Sequence, residues 1–271
     1  MCNRISLCSV LGIMSIISLS CGEIDPPPLP PDVDTTIMSG PEDGETLQKP
    51  SATFQWTGNT VYVGEFSYRC VPLDDGCTAS YEYWSEWSNG TSVTLDYLDQ
   101  GTYIFEVVGR SPGEVDETPD ARTLKVDIPG PGMLLRPFKK VAILNEEFII
   151  EVLADDVDDF VFAHLILKFD PARLEATHVR LGEKFQGSPR ALFVDDSKLK
   201  SGIADINMST INSQLPVIKG STETIIIISF IPLLSGESKV EFDVSSEFNN
   251  SEGEPIKIEN RIGSVIEILE Q

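Results

Sequence analysis

Histidine is almost absent from this chain. Its 271 residues contain His164 and His178 and no other. Neither stands in an H-x-x-x-H or H-E-x-x-H spacing, so a histidine-based zinc centre is not indicated. A nucleophile elbow of the form G-x-S-x-G is missing, and no Ser or Cys nucleophile lies near His178 in sequence. Positive charge is the second shortage: 20 Lys and Arg face 43 Asp and Glu, a net charge of −23. Binding a phosphate backbone needs cations that displace counterions, which excludes nucleic acid as a partner. Such a surface suits a soluble, self-repelling chain. Many carboxylate pairs exist among those acids, so spacing alone does not dismiss a glycosidase-like pair.

Long apolar runs are lacking too. The longest near the start, Ser9–Leu19, is too short to span a bilayer and has the length of a secretory core. It ends in Ser18-Leu19-Ser20-Cys21-Gly22, which resembles a bacterial lipoprotein signal. That resemblance implies cleavage after residue 20, acylation of Cys21, and a cell-envelope protein held on a membrane and facing the periplasm or the exterior. Cysteine is scarce beyond that point. Cys2 and Cys8 leave with the signal, and Cys70 and Cys77 remain. In an oxidising compartment these two are expected to form a local disulfide. Two cysteines with no nearby His do not make a metal site. No metal and no cofactor is implied.

What is present is organised as strands. Residues 21–34 form a Pro-rich tether, with Pro26, Pro27, Pro28, Pro30 and Pro31 favouring an extended spacer. Residues 35–128 contain short, turn-bounded runs with period-2 alternation, such as Ala52–Thr57, Glu65–Val71, Gly101–Arg110 and Arg122–Ile128. That pattern predicts an antiparallel sandwich. The wording GPEDGET, ATFQWTG, WSEWS and LDQGTYIFEVVGRS, in this order, resembles the Ig-like, fibronectin-III-like modules of bacterial surface proteins. Pro129-Gly130-Pro131-Gly132 marks a boundary, a linker over 129–132.

Residues 133–271 predict a second sandwich of jelly-roll type. Strands are expected near Phe148–Ala154, Phe162–Phe169, Ala176–Leu181, Ala191–Asp195, Gly202–Met208, Thr222–Ile231, Lys239–Val244 and Ser264–Ile268. Thr224–Ile231 is apolar on both faces and should be a central strand covered on both sides. The fold class is therefore all-β, two sandwiches in series. The order of landmarks resembles a cohesin domain. It includes Asn145-Glu146-Glu147, then Phe169-Asp170-Pro171 with Leu174-Glu175, then Ser229-Phe230 and Gly263-Ser264-Val265-Ile266. Asp170-Pro171 also has a local task, since Pro restricts Asp170 and the carboxylate can hold backbone N–H groups.

Four constellations carry candidate chemistry. Tyr81, Tyr83, Trp84 and Trp87 are either a sugar-stacking platform or structural. In the structural reading they belong to the core, with Arg69 or Arg110 stacked on a Trp face. Asp155-Asp156-Val157-Asp158-Asp159 lacks calcium-loop spacing and reads as a solvated turn. The histidines form no triad. Phe162, His164, Ile166 and Lys168 share the face of a strand opposite Leu165, Leu167 and Phe169. The cohesin resemblance implies that this face contacts a dockerin-bearing protein, such as a carbohydrate-active enzyme. Any calcium would then belong to the partner, because this chain has no repeated D-x-[DN]-x-D-G loop. It also implies a protein without catalytic activity. Two other readings stay open: a carbohydrate-binding module of the same fold that takes a polysaccharide, and a structural envelope spacer.

Overall fold

The computed structural model describes residues 32–59, 63–74, 77, 81–186, 190–210 and 220–270. The signal, Cys21 and the tether up to residue 31 lie outside the described residues. Strands dominate, as the alternation predicts. The N-terminal part contains β1 (Thr35–Ser39), β2 (Glu45–Leu47), β3 (Ser51–Gly58), β4 (Glu65–Pro72), β5 (Ser92–Asp96), β6 (Gly101–Ser111), β7 (Glu114–Val115) and β8 (Asp120–Val126). Among the described residues one sheet has the order β1-β3-β5 and the other β2-β8-β6-β4, with β7 on β6. Phe54 and Trp56 of β3 face Phe105 of β6 between the sheets, Phe54 and Phe105 stacked with centroids 3.8 Å apart.

The C-terminal part contains β9 (Gly132–Arg136), β10 (Lys139–Ile143), β11 (Phe148–Asp155), β12 (Phe162–Phe169) and β13 (Leu174–Leu181). There follow β14 (Arg190–Val194), a short helix α1 (Asp196–Leu199), β15 (Ile203–Thr210), β16 (Thr222–Pro232) and β17 (Gly236–Phe242). The set closes with β18 (Glu247–Asn249), β19 (Asn260–Ile262) and β20 (Ser264–Leu269). One sheet runs β13-β16-β11-β9-β19 and the other β10-β20-β17-β12-β15-β14, with β18 also on β12. Ile150, Val152, Leu165, Leu167, Ile206, Ile226, Ile228 and Phe230 interdigitate between them. The fold is all-β, built of two sandwiches.

β16 is central, flanked by β13 and β11. Its outward Ile227 is nevertheless buried. The register sets Glu151 on one side of it and Arg180 on the other, and Arg136 reaches Glu151 at 2.6 Å. Long charged side chains with apolar stems therefore shield that face, where a packed layer was expected.

The Asp170-Pro171 turn does what its residues predict. The Asp170 carboxylate accepts from the Ala172 N–H at 2.9 Å, and its carbonyl accepts from Arg173 and Leu174. Gly202, at φ +83°, lies so close to the turn that a Cβ would sit 2.3 Å from the Phe169 carbonyl oxygen.

The two sandwiches share buried contacts. Leu134, Phe138 and Leu153 of the second pack into the core of the first, beside Tyr103, Leu124 and Val126. The buried Asp99 accepts from the Phe138 N–H at 2.6 Å. Gln100 donates to Asp155 and to Thr222 Oγ1 and accepts from Ile128 N–H at 2.6 Å. The Pro-Gly stretch itself is held by the second sandwich, through Asn260 Nδ2 to the Pro129 carbonyl and Glu259 N–H to that of Pro131.

The reading of the Asp155–Asp159 run as a solvated strand-to-strand turn holds for Asp156, Asp158 and Asp159, which are exposed between β11 and β12, and fails for Asp155. Asp155 is buried at the junction, and Asp156 Oδ1 accepts from Gly220 N–H at 2.6 Å. Asp159 Oδ2 accepts from the N–H and hydroxyl of Ser251, and Val157 is fully buried. The run has polar character because it ties loops together.

The disulfide expectation is also corrected: Cys70 and Cys77 are free thiols. Cys70 points from β4 into the core of the first sandwich. Cys77 Sγ instead donates to the Gln100 carbonyl at 2.9 Å. Burial pushes the Cys70 thiol up to about 12. Burial, with the Asp99 and Asp74 carboxylates adding to it, pushes Cys77 up to about 11.

Candidate docking face

The candidate residues stand on β12, which is central in its sheet. Ala163, Leu165, Leu167 and Phe169 point into the core, and Phe162, His164, Ile166 and Lys168 point the other way. The period-2 reading therefore holds residue by residue. None of the four outward side chains is buried: Phe162, His164 and Ile166 are half-buried and Lys168 is exposed.

Cross-strand register assembles the rest of the face. Phe193 of β14, Asn207 of β15, His164 of β12 and Glu247 of β18 form one row. Ser209, Phe162 and Asn249 form the row on one side, and Asp205 and Ile166 the row on the other. Phe193 is 68% exposed. Phe162, Ile166 and Phe193 thus supply apolar surface around a polar centre.

That centre is a charge chain. His164 Nε2 lies 3.1 Å from Asp205 Oδ1, and Lys198 Nζ, on α1, donates to Asp205 Oδ2 at 2.5 Å. The Lys198 hydrogen bond, aided by His164, holds the Asp205 carboxyl below the usual carboxylate range. Asp195 Oδ1 caps the helix by accepting from Ser197 N–H at 3.1 Å, which fixes where Lys198 starts. At the end of β12, Lys168 pairs with Asp243, whose carboxyl also accepts from Ser245. Those bonds, the Lys168 one first, push Asp243 far down. Among the described residues this face shows no nucleophile paired with a base. It offers half-exposed apolar side chains with oriented charges between them, which suits non-covalent contact.

Sequence reasoning did not place Asp205, Lys198, Asn207 or Phe193 here. Phe193 was findable, because it alternates with the strand positions of Ala191–Asp195. The other three arrive through pairing with β12 and through α1, which no local signal reveals.

The aromatic cluster of the first sandwich is a second constellation. Residues 81–88 run along the free edge of β4: Cys70 N–H bonds the Tyr81 carbonyl, Ser85 N–H bonds that of Tyr68, and Phe66 and Ser88 exchange bonds. The Arg69 guanidinium stacks 4.7 Å from the Trp84 ring and pairs with Glu106. Arg110 stacks 4.4 Å from Trp87 and pairs with Glu65. Both Arg–Trp stacks are therefore made. The Trp at the centre of the sandwich is a different one, Trp56, which contacts Phe66, Tyr68 and Phe105. Trp84 and Trp87 clamp an edge and leave the core to it.

Comparison with known proteins gives the following. No family model matches the chain. No curated protein matches it either. Among solved structures the neighbours are cohesin domains. A type II cohesin from the cellulosome of Acetivibrio cellulolyticus is 16% identical, with a TM-score of 0.41, over 51% of this chain and 95% of that one. A non-cellulosomal cohesin from Archaeoglobus fulgidus is 15% identical, with a TM-score of 0.40, over 51% and 90%. A type I cohesin–dockerin complex from Clostridium thermocellum matches at 12% identity and a TM-score of 0.42, over 51% and 98%.

Proposed function

We propose that the chain is a non-catalytic adaptor of the cell envelope whose second sandwich captures a dockerin-bearing protein. The carrying observation is the outward row of β12, Phe162, His164, Ile166 and Lys168, none of them buried, at the middle of a broad sheet. It stands where the cohesin-like landmarks of the sequence lead one to expect a contact face. Apolar side chains around a centre of oriented charges suit capture of a folded partner, with the apolar area giving affinity and the charges fixing register. In this reading the acylated Cys21 holds the chain on a membrane and the Pro-rich segment spaces it from the surface. The captured protein is a carbohydrate-active enzyme, and the calcium required resides in its dockerin.

The test is calorimetric titration of the whole soluble chain with purified dockerins carrying two calcium loops. Saturable binding in Ca²⁺, abolished by chelator and by Ile166→Asp at unchanged melting temperature, supports the reading. Binding indifferent to Ile166→Asp and to Phe193→Asp, or no binding to any dockerin, removes it. Fractionation after Cys21→Ala tests the anchor separately, since unchanged membrane partitioning would rule acylation out.

A further inference from the structure

The aromatics of the first sandwich divide into two groups. Trp84 and Trp87 each have a ring face occupied by an arginine. Tyr83 is 87% exposed. Its backbone is nevertheless pinned on both sides. The Tyr81 carbonyl accepts from Cys70 N–H at 2.7 Å, and the Tyr68 carbonyl accepts from Ser85 N–H at 2.8 Å. Ser85 Oγ further accepts from Tyr68 N–H at 3.1 Å. A ring presented this openly on ordered backbone loses little conformational freedom when something stacks on it.

Tyr97 is a second, independent oddity. It is 43% exposed and sits at φ +60°, a region that bulky residues rarely adopt. Glycine or asparagine would hold that conformation at lower cost, and would leave no ring outside. Strain kept at an exposed aromatic is a reason to look for a ligand. Tyr97 follows Asp96, whose N–H points at the Tyr81 hydroxyl at 3.4 Å. Tyr81 therefore bridges the two segments, its ring packed against the core and its neighbours Tyr83 and Tyr97 turned outward. Trp84, 39% exposed, lies next to Tyr83 on the β4 edge, with one ring face held by Arg69.

We propose that Tyr83 and Tyr97, on the two segments that Tyr81 joins, bind a neutral polysaccharide by stacking their rings on the apolar faces of its sugar units. The charge pattern selects that ligand. The chain's net charge of −23 repels polyanions. The nearest guanidinium, Arg69, is already paired with Glu106 at 2.6 Å and does not await an anionic group. An ion pair beside Trp84 still offers donors and acceptors that hydroxyl groups can use. The site lies on a different sandwich from the docking face, so neither depends on the other.

Affinity electrophoresis of the whole soluble chain in gels containing xylan or mixed-linkage β-glucan tests the site, with insoluble cellulose in a pull-down. Anionic pectin and cationic chitosan serve as charge controls. Retardation by a neutral polymer should fall about tenfold or more in Tyr83→Ala, the loss expected of an anchoring aromatic. Tyr97→Gly should weaken it comparably while the melting temperature stays level or rises, because glycine relieves the backbone. Three results overturn the proposal: no retardation by any neutral polymer, retardation that survives both substitutions, or retention on chitosan alone. Dockerin titration of the same variants should be unchanged, which keeps a failure here distinct from a failure of the docking reading.

Discussion

Gln100 Nε2 donates to Asp155 Oδ1 at 3.0 Å, joining the first sandwich to the second at a buried carboxylate. The same amide group bonds Thr222 and takes the Ile128 N–H, so one side chain ties three segments from two sandwiches. Gln100→Ala leaves Asp155 short of a donor in a buried place. The expected loss is about 1.5–3 kcal/mol of unfolding free energy, the worth of one hydrogen bond to a charged group, since Thr222 still donates to Asp155. Urea titration of wild type and variant measures it, and a change within error would mean that water replaces the amide.

Asp155 itself makes a pH prediction. Burial raises its carboxyl above the usual range, more than the Thr222 and Gln100 hydrogen bonds lower it, and Asp127 and Asp156 add to the rise. A carboxyl that binds its proton better when folded contributes stability below its unfolded pKa, and loses it as pH rises through the folded one. Asp155→Asn keeps an oxygen for Gln100 and removes the buried charge. The variant should be more stable than wild type at pH 7, with the gain vanishing near pH 3. Thermal melts at the two pH values show it, and an equal effect at both would contradict it.

The Arg–Trp stacks should behave as an edge clamp. Trp87→Ala with Arg110→Ala, alone and together, forms a cycle in which the coupling is about 0.5–2 kcal/mol. Chemical denaturation supplies the three differences. Coupling near zero would make the stack incidental.

Cys70 and Cys77, both raised by burial, are expected to resist alkylation at pH 8 until the protein unfolds. Iodoacetamide labelling followed by mass spectrometry reads this directly. A mass two hydrogens light, or a melting temperature lowered by reductant, would show that the two thiols pair after all.

Local pattern carried much of this molecule. The alternation through Phe162–Phe169 places every side chain of β12 on its observed face, and Asp170-Pro171 declares its turn. The expected strand over Thr222–Ile231 is observed as Thr222–Pro232. β9 and β10 escaped notice because they begin beside prolines, where extended backbone reads as linker. The role of Asp155 escaped because its partners lie 55 and 67 residues away, at Gln100 and Thr222. The core reading of the first sandwich fell on Trp84 and Trp87. Only the pairing of β3 with β5 and its packing on β6 decides for Trp56.

The parallel pairing of β10 with β20, Lys139–Ile143 against Val265–Leu269, has a mechanical side. In a chain held at its N-terminal end while a captured partner is pulled away, load passes from β9 into the start of β10. Parallel neighbours resist such a pull in shear, with the ladder bonds strained together rather than peeled one after another. β9, parallel to β19 and antiparallel to β11, meets the force first, and β10 on β20 is the next ladder behind it.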